Sequence, residues 1–556
     1  MSASDKKKLR KEAAAAALTE KQKRELAEAK KLKAATFSFV AIMLALVLVA
    51  GAVLGVRAVN NSGIIERNTI AAVIGSHELD SVMVKYYFTD HIQNLYQQWN
   101  NQYGSSFATY ISSLGLDLNA PLNAQKSAMD PNKTWAEYFL DDALEKAKND
   151  FALYDKAMSE GFKLSEDEQK ALDSNDQMLQ IYALYGGYQN VDQYLRAIYG
   201  YGANAKSYNE YSKITTIASA YSNAHSNSLT YNDAAIDAYG GEGSEKFNNF
   251  SFFSFAIYSV DVSSYLTGGT KDDAGKITYS DDEIAAAQKK AEQIANALKE
   301  TGGLEALDAA ISALEINADK ETSVTSTKNE SIKYTDLPEA YQEWMGSAER
   351  KNGDITVIPD ERESTDADGN KVKTIDGYIV LCFMERNDNN KPLANVRHLL
   401  VKFDGEPDSK GEYSEDVKKK AKEEAEKYLQ EWKDGAATED SFIELVKKYS
   451  DDGTKDSGGL IEDMHPDSPY VESFLAWSLN DDRNPGDTEV IVSEYGYHVM
   501  YYSSDDTLTY RDYMITEELR ANDMEKWNND IIKDITITIG DTKRLNLDLK
   551  ISSIAS

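Results

Sequence analysis

Two short stretches decide how the second half of this chain folds: Asn395-Val-Arg-His-Leu-Leu-Val-Lys-Phe403 and Gly496-Tyr-His-Val-Met-Tyr-Tyr502. Branched and aromatic residues follow a two-residue alternation in both, which predicts β-strands. Each strand carries one histidine, His398 or His498. If both strands enter one sheet, the imidazoles form a buried pair; two unrelated core histidines are the alternative interpretation.

An apolar run near the start of the chain predicts a membrane anchor. Residues 34–56 contain no charged side chain, and a helix of that length spans a hydrocarbon core of about 30 Å. Cleavage as a signal peptide is the alternative, because Gly51 and Gly55 are small. Residues 1–33 carry 11 Lys and Arg against five acids. This positive arm is expected in the cytoplasm, which places everything after Arg57 outside the cell membrane.

Charge and composition exclude several classes of function. The chain has a net charge of −33, and because the basic arm is +6, the remainder carries −39. An exterior this acidic argues against nucleic-acid binding. Cys382 is the only cysteine, so no intramolecular disulfide is possible. Because Asp451-Asp452 lacks the spacing of a calcium loop and no zinc, phosphate or dinucleotide motif occurs, neither a metal nor a cofactor is expected.

The outer part of the chain opens with a helical region, predicted as a domain over residues 65–245. A short strand at 68–75 is followed by helical patterns, and Asp80 or Ser81 is expected to cap the first helix. The helical patterns cover residues 81–103, 133–160, 165–184, 189–199, 204–226 and 230–239. Aromatic residues recur on these helices at core spacing; the alternative is that some line a groove for unfolded chains.

Two later segments, 246–387 and 391–504, predict an internal repeat. Each opens with an apolar strand, continues with a capped helix and closes with a strand that begins Gly-Tyr. The first copy has Phe252 and Ile379 where the second has His398 and His498, so the first is expected to keep the fold without the titratable groups. Residues 360–373 are expected to form a polar loop in the first copy. The tail, 505–556, is expected to form a helix and strands that pack on the helical region.

The second copy resembles the parvulin family of peptidyl-prolyl isomerases over Lys391 to Ser504. The resemblance rests on Arg397-His398, on Lys448-Tyr-Ser-Asp-Asp452, on Gly458-Gly459 and on the closing Gly-Tyr-His498. It implies a catalytic group made of His398, Asp452, Ser493 and His498 and a proline pocket that draws on Met464 and Phe474. The loop departs from the family after Gly459, where Leu-Ile-Glu replaces the frequent Asp-Leu-Gly. Asp452 as a simple turn cap is the alternative.

The helical region resembles, in pattern, the chaperone part of foldases of the SurA, PpiD and PrsA type. The chain is therefore expected to be an α+β protein with an N-terminal transmembrane helix, a helical chaperone region and two parvulin-like domains, the first degenerate. The expected function is a membrane-anchored extracytoplasmic foldase that isomerises X-Pro bonds in secreted or cell-surface polypeptides. A non-catalytic holdase or a binding protein of the secretion machinery is the alternative.

Overall fold

The computed structural model describes residues 2–16, 20–261, 270–271, 277–301, 324–365, 371–408 and 411–554. Within these ranges the structure mixes helices and sheets, which confirms the α+β fold class. The helices are α1 Ala3–Ala16, α2 Glu20–Ser62, α3 Ile64–Arg67, α4 Ser81–Tyr103, α5 Phe107–Ser113, α6 Trp135–Glu160, α7 Glu166–Asp173, α8 Asn175–Tyr185, α9 Val191–Tyr199, α10 Ala205–Ser228, α11 Asp233–Gly240, α12 Asp281–Thr301, α13 Glu339–Met345, α14 Glu415–Asp434, α15 Glu439–Tyr449, α16 Glu472–Ser478 and α17 Tyr510–Ile532. The strands are β1 Ile70–Ile74, β2 His77–Asp80, β3 Phe252–Asp261, β4 Thr270–Lys271, β5 Ile277–Thr278, β6 Val324–Lys333, β7 Ile355–Thr365, β8 Lys371–Asn387, β9 Pro392–Lys402, β10 Leu460–Met464, β11 Thr488–Val492, β12 Gly496–Thr509 and β13 Ile537–Ile539.

The chain forms two compact units, one made of residues 1–229 and 523–556 and the other of residues 230–522. The sequence predicted that the helical region ends at residue 245 and that the tail begins after residue 504. The structure groups α11 with the second unit because Ile236 packs against Phe250 and Ile515 in one apolar cluster. The finer division into four outer domains stays a prediction.

The first unit contains the apolar helix and the helical region. Thr36–Asn60 within α2 has a mean hydropathy of 2.9 and is long and apolar enough to cross a membrane. Asp80 caps α4 by accepting a hydrogen bond from the Met83 amide at 2.8 Å, as the sequence predicted. The aromatic side chains of α4 and α6 that face inward are fully buried, so these aromatic stripes are core.

The tail joins the first unit through one strand rather than two. β13 pairs antiparallel with β1, Thr538 lying opposite Val73. The run 545–551 was expected to be a second strand, which is wrong. Its Leu547 and Leu549 carbonyls accept hydrogen bonds from two loop amides near residue 122, so the segment follows a loop and has no strand partner.

The second unit contains two four-stranded sheets with the same topology. The first sheet has the order β6-β3-β8-β7 and the second β10-β9-β12-β11. In each copy the last strand along the chain lies inside the sheet and pairs with the first strand. The two sheets therefore have the same connectivity. Residues 302–323 of the first copy lie outside the described residues.

Strand register corrects the alignment of the two copies. Gly377 lies opposite Asp261 in the first sheet, and Gly496 lies opposite Lys402 in the second. Counting back four residues from each partner places Ile257, not Phe252, at the position of His398. The expected equivalence of Phe252 is therefore wrong, whereas Ile379 does occupy the position of His498.

The first copy contains a polar segment between two strands and the single cysteine of the chain. The segment 360–373 was expected to be a loop, but its described parts, 360–365 and 371–373, belong to the paired strands β7 and β8, Glu363 lying opposite Lys373; residues 366–370 lie outside the described residues. The side chain of Cys382 on β8 is buried, and burial raises the pKa of its thiol to about 12. This thiol is therefore protonated and shielded in the folded chain.

Candidate active site

Two neighbouring strands bring the histidines of the second copy together. In the β9–β12 ladder His398 lies opposite Met500 and His498 lies opposite Leu400, so the histidines occupy a diagonal pair on one face of the sheet. Their Nδ1 atoms are 3.1 Å apart. Each residue is about one-twentieth exposed (4% and 5%). The imidazoles form a buried hydrogen-bonded pair, which the strand pattern predicted.

The loop after α15 delivers a carboxylate to this pair. The Leu400 amide donates to the Ser450 hydroxyl at 3.2 Å, and the Asp451 amide donates to the Leu400 carbonyl at 2.9 Å. These bonds fix the loop along the free edge of β9. As a result Asp452 Oδ1 lies 3.4 Å from His398 Nε2.

A glycine allows the strand that follows to approach the same histidine. The His398 amide donates to the Gly459 carbonyl at 3.0 Å. Gly459 has φ +72°, and a Cβ atom there would lie 2.2 Å from the His398 carbonyl oxygen. Only glycine tolerates both conditions, which explains why the second glycine of the Gly458-Gly459 pair is required.

The polar side chains form a continuous relay across the sheet. The Ser493 hydroxyl lies 2.8 Å from His498 Nε2, at the opposite end from Asp452. Thr454 donates its hydroxyl to Asp452 Oδ1 at 2.7 Å and its amide to the same oxygen at 2.8 Å. An ionised carboxylate only accepts, so His398 Nε2 carries a proton toward Asp452. When His398 carries this one proton, its Nδ1 accepts from His498 Nδ1, and Ser493 donates to His498 Nε2.

Burial and hydrogen bonding fix the charge state of this relay. The hydrogen bond from His398, aided by those from Thr454, holds the pKa of Asp452 well below its ordinary value. Desolvation, together with the neighbouring His398, lowers the pKa of His498 to about 4. At neutral pH the relay therefore holds an ionised carboxylate at one end and a neutral imidazole at His498.

An apolar cavity of about 360 Å³ opens beside the relay. The Phe474 ring forms its floor and meets both imidazoles edge to face, with ring centroids 5.2 Å and 5.5 Å away. The cavity is lined by His398, Leu400, Lys402, Asp452, Thr454, Ile461, Pro469, Tyr470, Val471, Phe474, Tyr495 and His498. A cavity of this kind holds a small apolar ring against polar groups at its rim.

The structure places the six site residues expected from the sequence with one difference. His398, Asp452, Ser493 and His498 form the relay, and Phe474 lines the cavity. Met464 does not line it: the side chain is 1% exposed and packs in the core with Phe474 and Trp477. The loop between β10 and α16 forms the wall at that point instead.

Sequence reasoning missed Thr454 and the aromatic residues at the rim. Thr454 stands two residues after Asp452, and a threonine in this position of a polar turn is a recognisable signal for a side-chain contact. Tyr470 lies in the loop before α16 and Tyr495 in the turn between β11 and β12, and no residue pattern in either segment marks a cavity-lining position. In the part of the chain that the structure describes, no group of three His, Cys, Asp or Glu side chains could hold a metal ion.

Comparison with known proteins places this site in a family. Residues 398–504 match the family of rotamases described as the PPIC-type PPIase domain. No curated protein matches the chain.

Solved structures of three PrsA proteins are similar to part of the chain. PrsA of Bacillus anthracis, a peptidylprolyl isomerase, is 22% identical over 26% of this chain and 59% of its own length, with a TM-score of 0.17. PrsA of Bacillus cereus is 24% identical over 30% and 59%, and PrsA of Bacillus subtilis is 20% identical over 28% and 54%, both with a TM-score of 0.17. The chain thus spans little more than half the length of these proteins.

The family match covers the relay, the glycine pair and the cavity, and it confirms the resemblance noted in the sequence. Residues 398–504 of this chain are a parvulin-type peptidyl-prolyl isomerase domain.

Proposed function

We propose that this chain is a membrane-anchored extracytoplasmic foldase that catalyses cis-trans isomerisation of X-Pro bonds in secreted or cell-surface polypeptides. The observation that carries the proposal is the relay of Ser493, His498, His398 and Asp452 beside an apolar cavity with room for a proline ring. The match of residues 398–504 to the PPIC-type family supports the same reaction.

The reaction is a rotation and breaks no bond. Resonance gives the amide a rotational barrier of about 18–20 kcal/mol. The site needs only to bind the twisted amide more tightly than the planar one. About 5 kcal/mol of such differential binding accelerates exchange several thousandfold, at roughly 1.4 kcal/mol for each factor of ten.

The charge of Asp452 can make the site bind the twisted amide more tightly than the planar amide. In the planar amide the carbonyl oxygen carries extra negative charge through resonance, and twisting returns this charge to nitrogen. With the proline ring in the cavity against Phe474, an ionised carboxylate at the rim repels the planar form more than the twisted form. His398 and Thr454 keep this carboxylate ionised and fixed in direction.

Replacement of Asp452 by Asn tests this route, because Asn keeps the shape and removes the charge. We expect Asp452→Asn to slow the isomerisation of a proline peptide by the full chain at least tenfold, about 1.4 kcal/mol of transition-state stabilisation. Asp456→Asn removes a charge from the same loop at an exposed position and should leave the rate unchanged. A wild-type chain that does not accelerate exchange would refute the proposed activity.

A second observation favours binding of unfolded chains by the helical region. On α8, Met178, Ile181, Tyr182 and Tyr185 follow helical spacing and are 37–87% exposed, while the opposite face is buried through Leu179. A helix with apolar residues on both faces normally lies in a core. This exposed stripe is suited to hold apolar segments of unfolded polypeptides, as a holdase would.

The stripe can be tested separately from the isomerase site. We expect Ile181→Lys with Tyr185→Lys to weaken the suppression of aggregation of a denatured reporter protein, measured by light scattering, and to leave X-Pro exchange unchanged. Gln177→Lys with Gln180→Lys adds the same two charges at exposed positions of α8 outside the stripe and serves as the control. If the wild-type chain does not accelerate X-Pro exchange while the stripe variant loses the suppression of aggregation, the protein is a holdase rather than an enzyme.

The proposed location rests on the apolar span and the charge that precedes it. Thr36–Asn60 is apolar, and the residues before it are strongly basic, which favours a cytoplasmic N-terminus. Protease added to intact cells should remove the bulk of the chain. Full protection of that bulk would contradict the orientation.

A further inference from the structure

The loop His465–Val471, here called the wall loop, joins β10 to α16 and forms one side of the cavity. Pro469, Tyr470 and Val471 all line the cavity. Within the loop the His465 amide donates to the Ser468 hydroxyl at 2.9 Å, and the Ser468 amide donates to the His465 carbonyl at 2.9 Å. These bonds close a turn, but they do not attach the wall loop to the sheet.

The attachment comes from the first turn of α17, beyond the segment that matches the isomerase family. The His465 ring stacks on Tyr510 with centroids 5.3 Å apart and an interplanar angle of 11°, and it lies 4.5 Å from the Tyr513 ring. The Tyr510 hydroxyl donates a hydrogen bond to Asp467 Oδ2.

Tyr510 is itself firmly placed. Its side chain is 5% exposed, and its amide donates to the Lys391 carbonyl at 2.9 Å, next to the start of β9. A buried ring anchored next to the start of β9 is therefore bonded to Asp467, one of the exposed residues of the wall loop. Burial and the Asp467 carboxylate both raise the pKa of Tyr510, so its hydroxyl remains a donor at neutral pH.

We propose that Tyr510 is a positioning residue of the isomerase site, holding the wall loop in the conformation that binds the proline ring. The inference rests on the proposed isomerase function and extends the site beyond residue 504. It implies that the substrate contact made by Pro469, Tyr470 and Val471 depends on a helix that the isomerase family match does not include.

The two tyrosines of α17 provide a matched pair of variants. Tyr510→Phe keeps the stacked ring and removes the hydrogen bond to Asp467. Tyr513→Phe removes a hydroxyl to which no hydrogen bond is found among the described residues. Because the wall loop contacts the proline ring in both the planar and the twisted state, its loosening should weaken binding of both states equally.

We expect Tyr510→Phe in the full chain to raise KM for a proline peptide about five- to tenfold with kcat nearly unchanged. Tyr513→Phe should stay within about twofold of wild type in KM, because it breaks no bond to the loop. Asp467→Ala removes the other partner and should reproduce the rise in KM. A partly unfolded preparation would lower kcat instead, so the split between KM and kcat separates positioning from general damage.

Hydrogen exchange of residues 465–471 gives a second readout that does not need catalysis. Faster exchange in Tyr510→Phe than in Tyr513→Phe supports the proposal, even if the wild-type chain proves inactive and the proposed function fails. Equal KM values for Tyr510→Phe and wild type in an active chain would overturn it. So would equal exchange of the wall loop in the two tyrosine variants.

Discussion

The two copies of the sheet share one strand order but differ along the edge next to the polar centre. In the first copy β6 pairs with β3 without interruption from Ala256 to Val260. In the second copy the pairing of β10 with β9 ends at Arg397. Beyond that point Ser450 and Asp451 take over the hydrogen bonds of the β9 edge.

This difference shows what a relay requires besides its histidines. An uninterrupted edge strand leaves no room for a loop to reach the sheet face. Where the strand stops at Gly459, the loop reaches the free edge and brings Asp452 to His398. In the first copy the same face is filled by an apolar cluster that includes Ile379 and Leu381.

The largest expected effect comes from giving the second copy the residues of the first. We expect His398→Ile with His498→Ile to reduce isomerisation by about two orders of magnitude, or about 2.7 kcal/mol. The domain should stay folded, because the two buried imidazoles are replaced together and their remaining partners, Asp452 and Ser493, are partly exposed and can bind water instead. Retention of activity would show that the histidine pair is not required for isomerisation. The measurement is X-Pro exchange by NMR alongside a circular dichroism melt.

A smaller but direct effect is expected at the glycine that ends the edge strand. Gly459→Ala should destabilise the isomerase domain by about 2 kcal/mol, because Ala disfavours φ +72° and its Cβ would collide with the His398 carbonyl. Gly453→Ala is the control, since nothing lies within 4 Å of a Cβ at that exposed position. Equal midpoints for the two variants in urea would show that the strand end is not held by this contact.

The reverse exchange tests whether a histidine alone creates a site. Ile379→His in the first copy should give no isomerase activity to a chain that carries the His398→Ile and His498→Ile changes. It should cost about 1–2 kcal/mol, because an imidazole replaces an apolar side chain in a filled cluster. Recovered activity would contradict the view that an interrupted edge strand is required.

The smallest effect concerns pH. Because the folded pKa of His498 is about 4 and its ordinary value is about 6.5, the unfolded chain binds the extra proton between these values. Stability from this group is complete above pH 6.5 and declines as pH falls toward 4. From pH 7 to pH 6 the loss should be about 0.7 kcal/mol. This contribution to the loss of stability should be absent when His498 is replaced by Ile in a chain that already carries His398→Ile.

Sequence reasoning reached the histidine pair because strand alternation and the two Gly-Tyr openings are local signals. It reached Asp452 through a family motif rather than through spacing. It misplaced the counterpart of His398 in the first copy, because the apolar runs match when their starts, Phe250 and Val396, are aligned, whereas the register is set at their other ends, where Asp261 corresponds to Lys402. The cavity wall could not be predicted because it depends on contacts with Tyr510, far along the chain.

The buried thiol of Cys382 gives the molecule a built-in reporter. Because the side chain is 1% exposed and its pKa is raised to about 12, a thiol-specific reagent cannot modify it while the first sheet is intact. Modification then follows the opening of that sheet alone, since the chain has no other cysteine. The rate of labelling therefore measures the local stability of the first copy inside the full chain. In an oxidising compartment the same shielding keeps neighbouring molecules from becoming crosslinked.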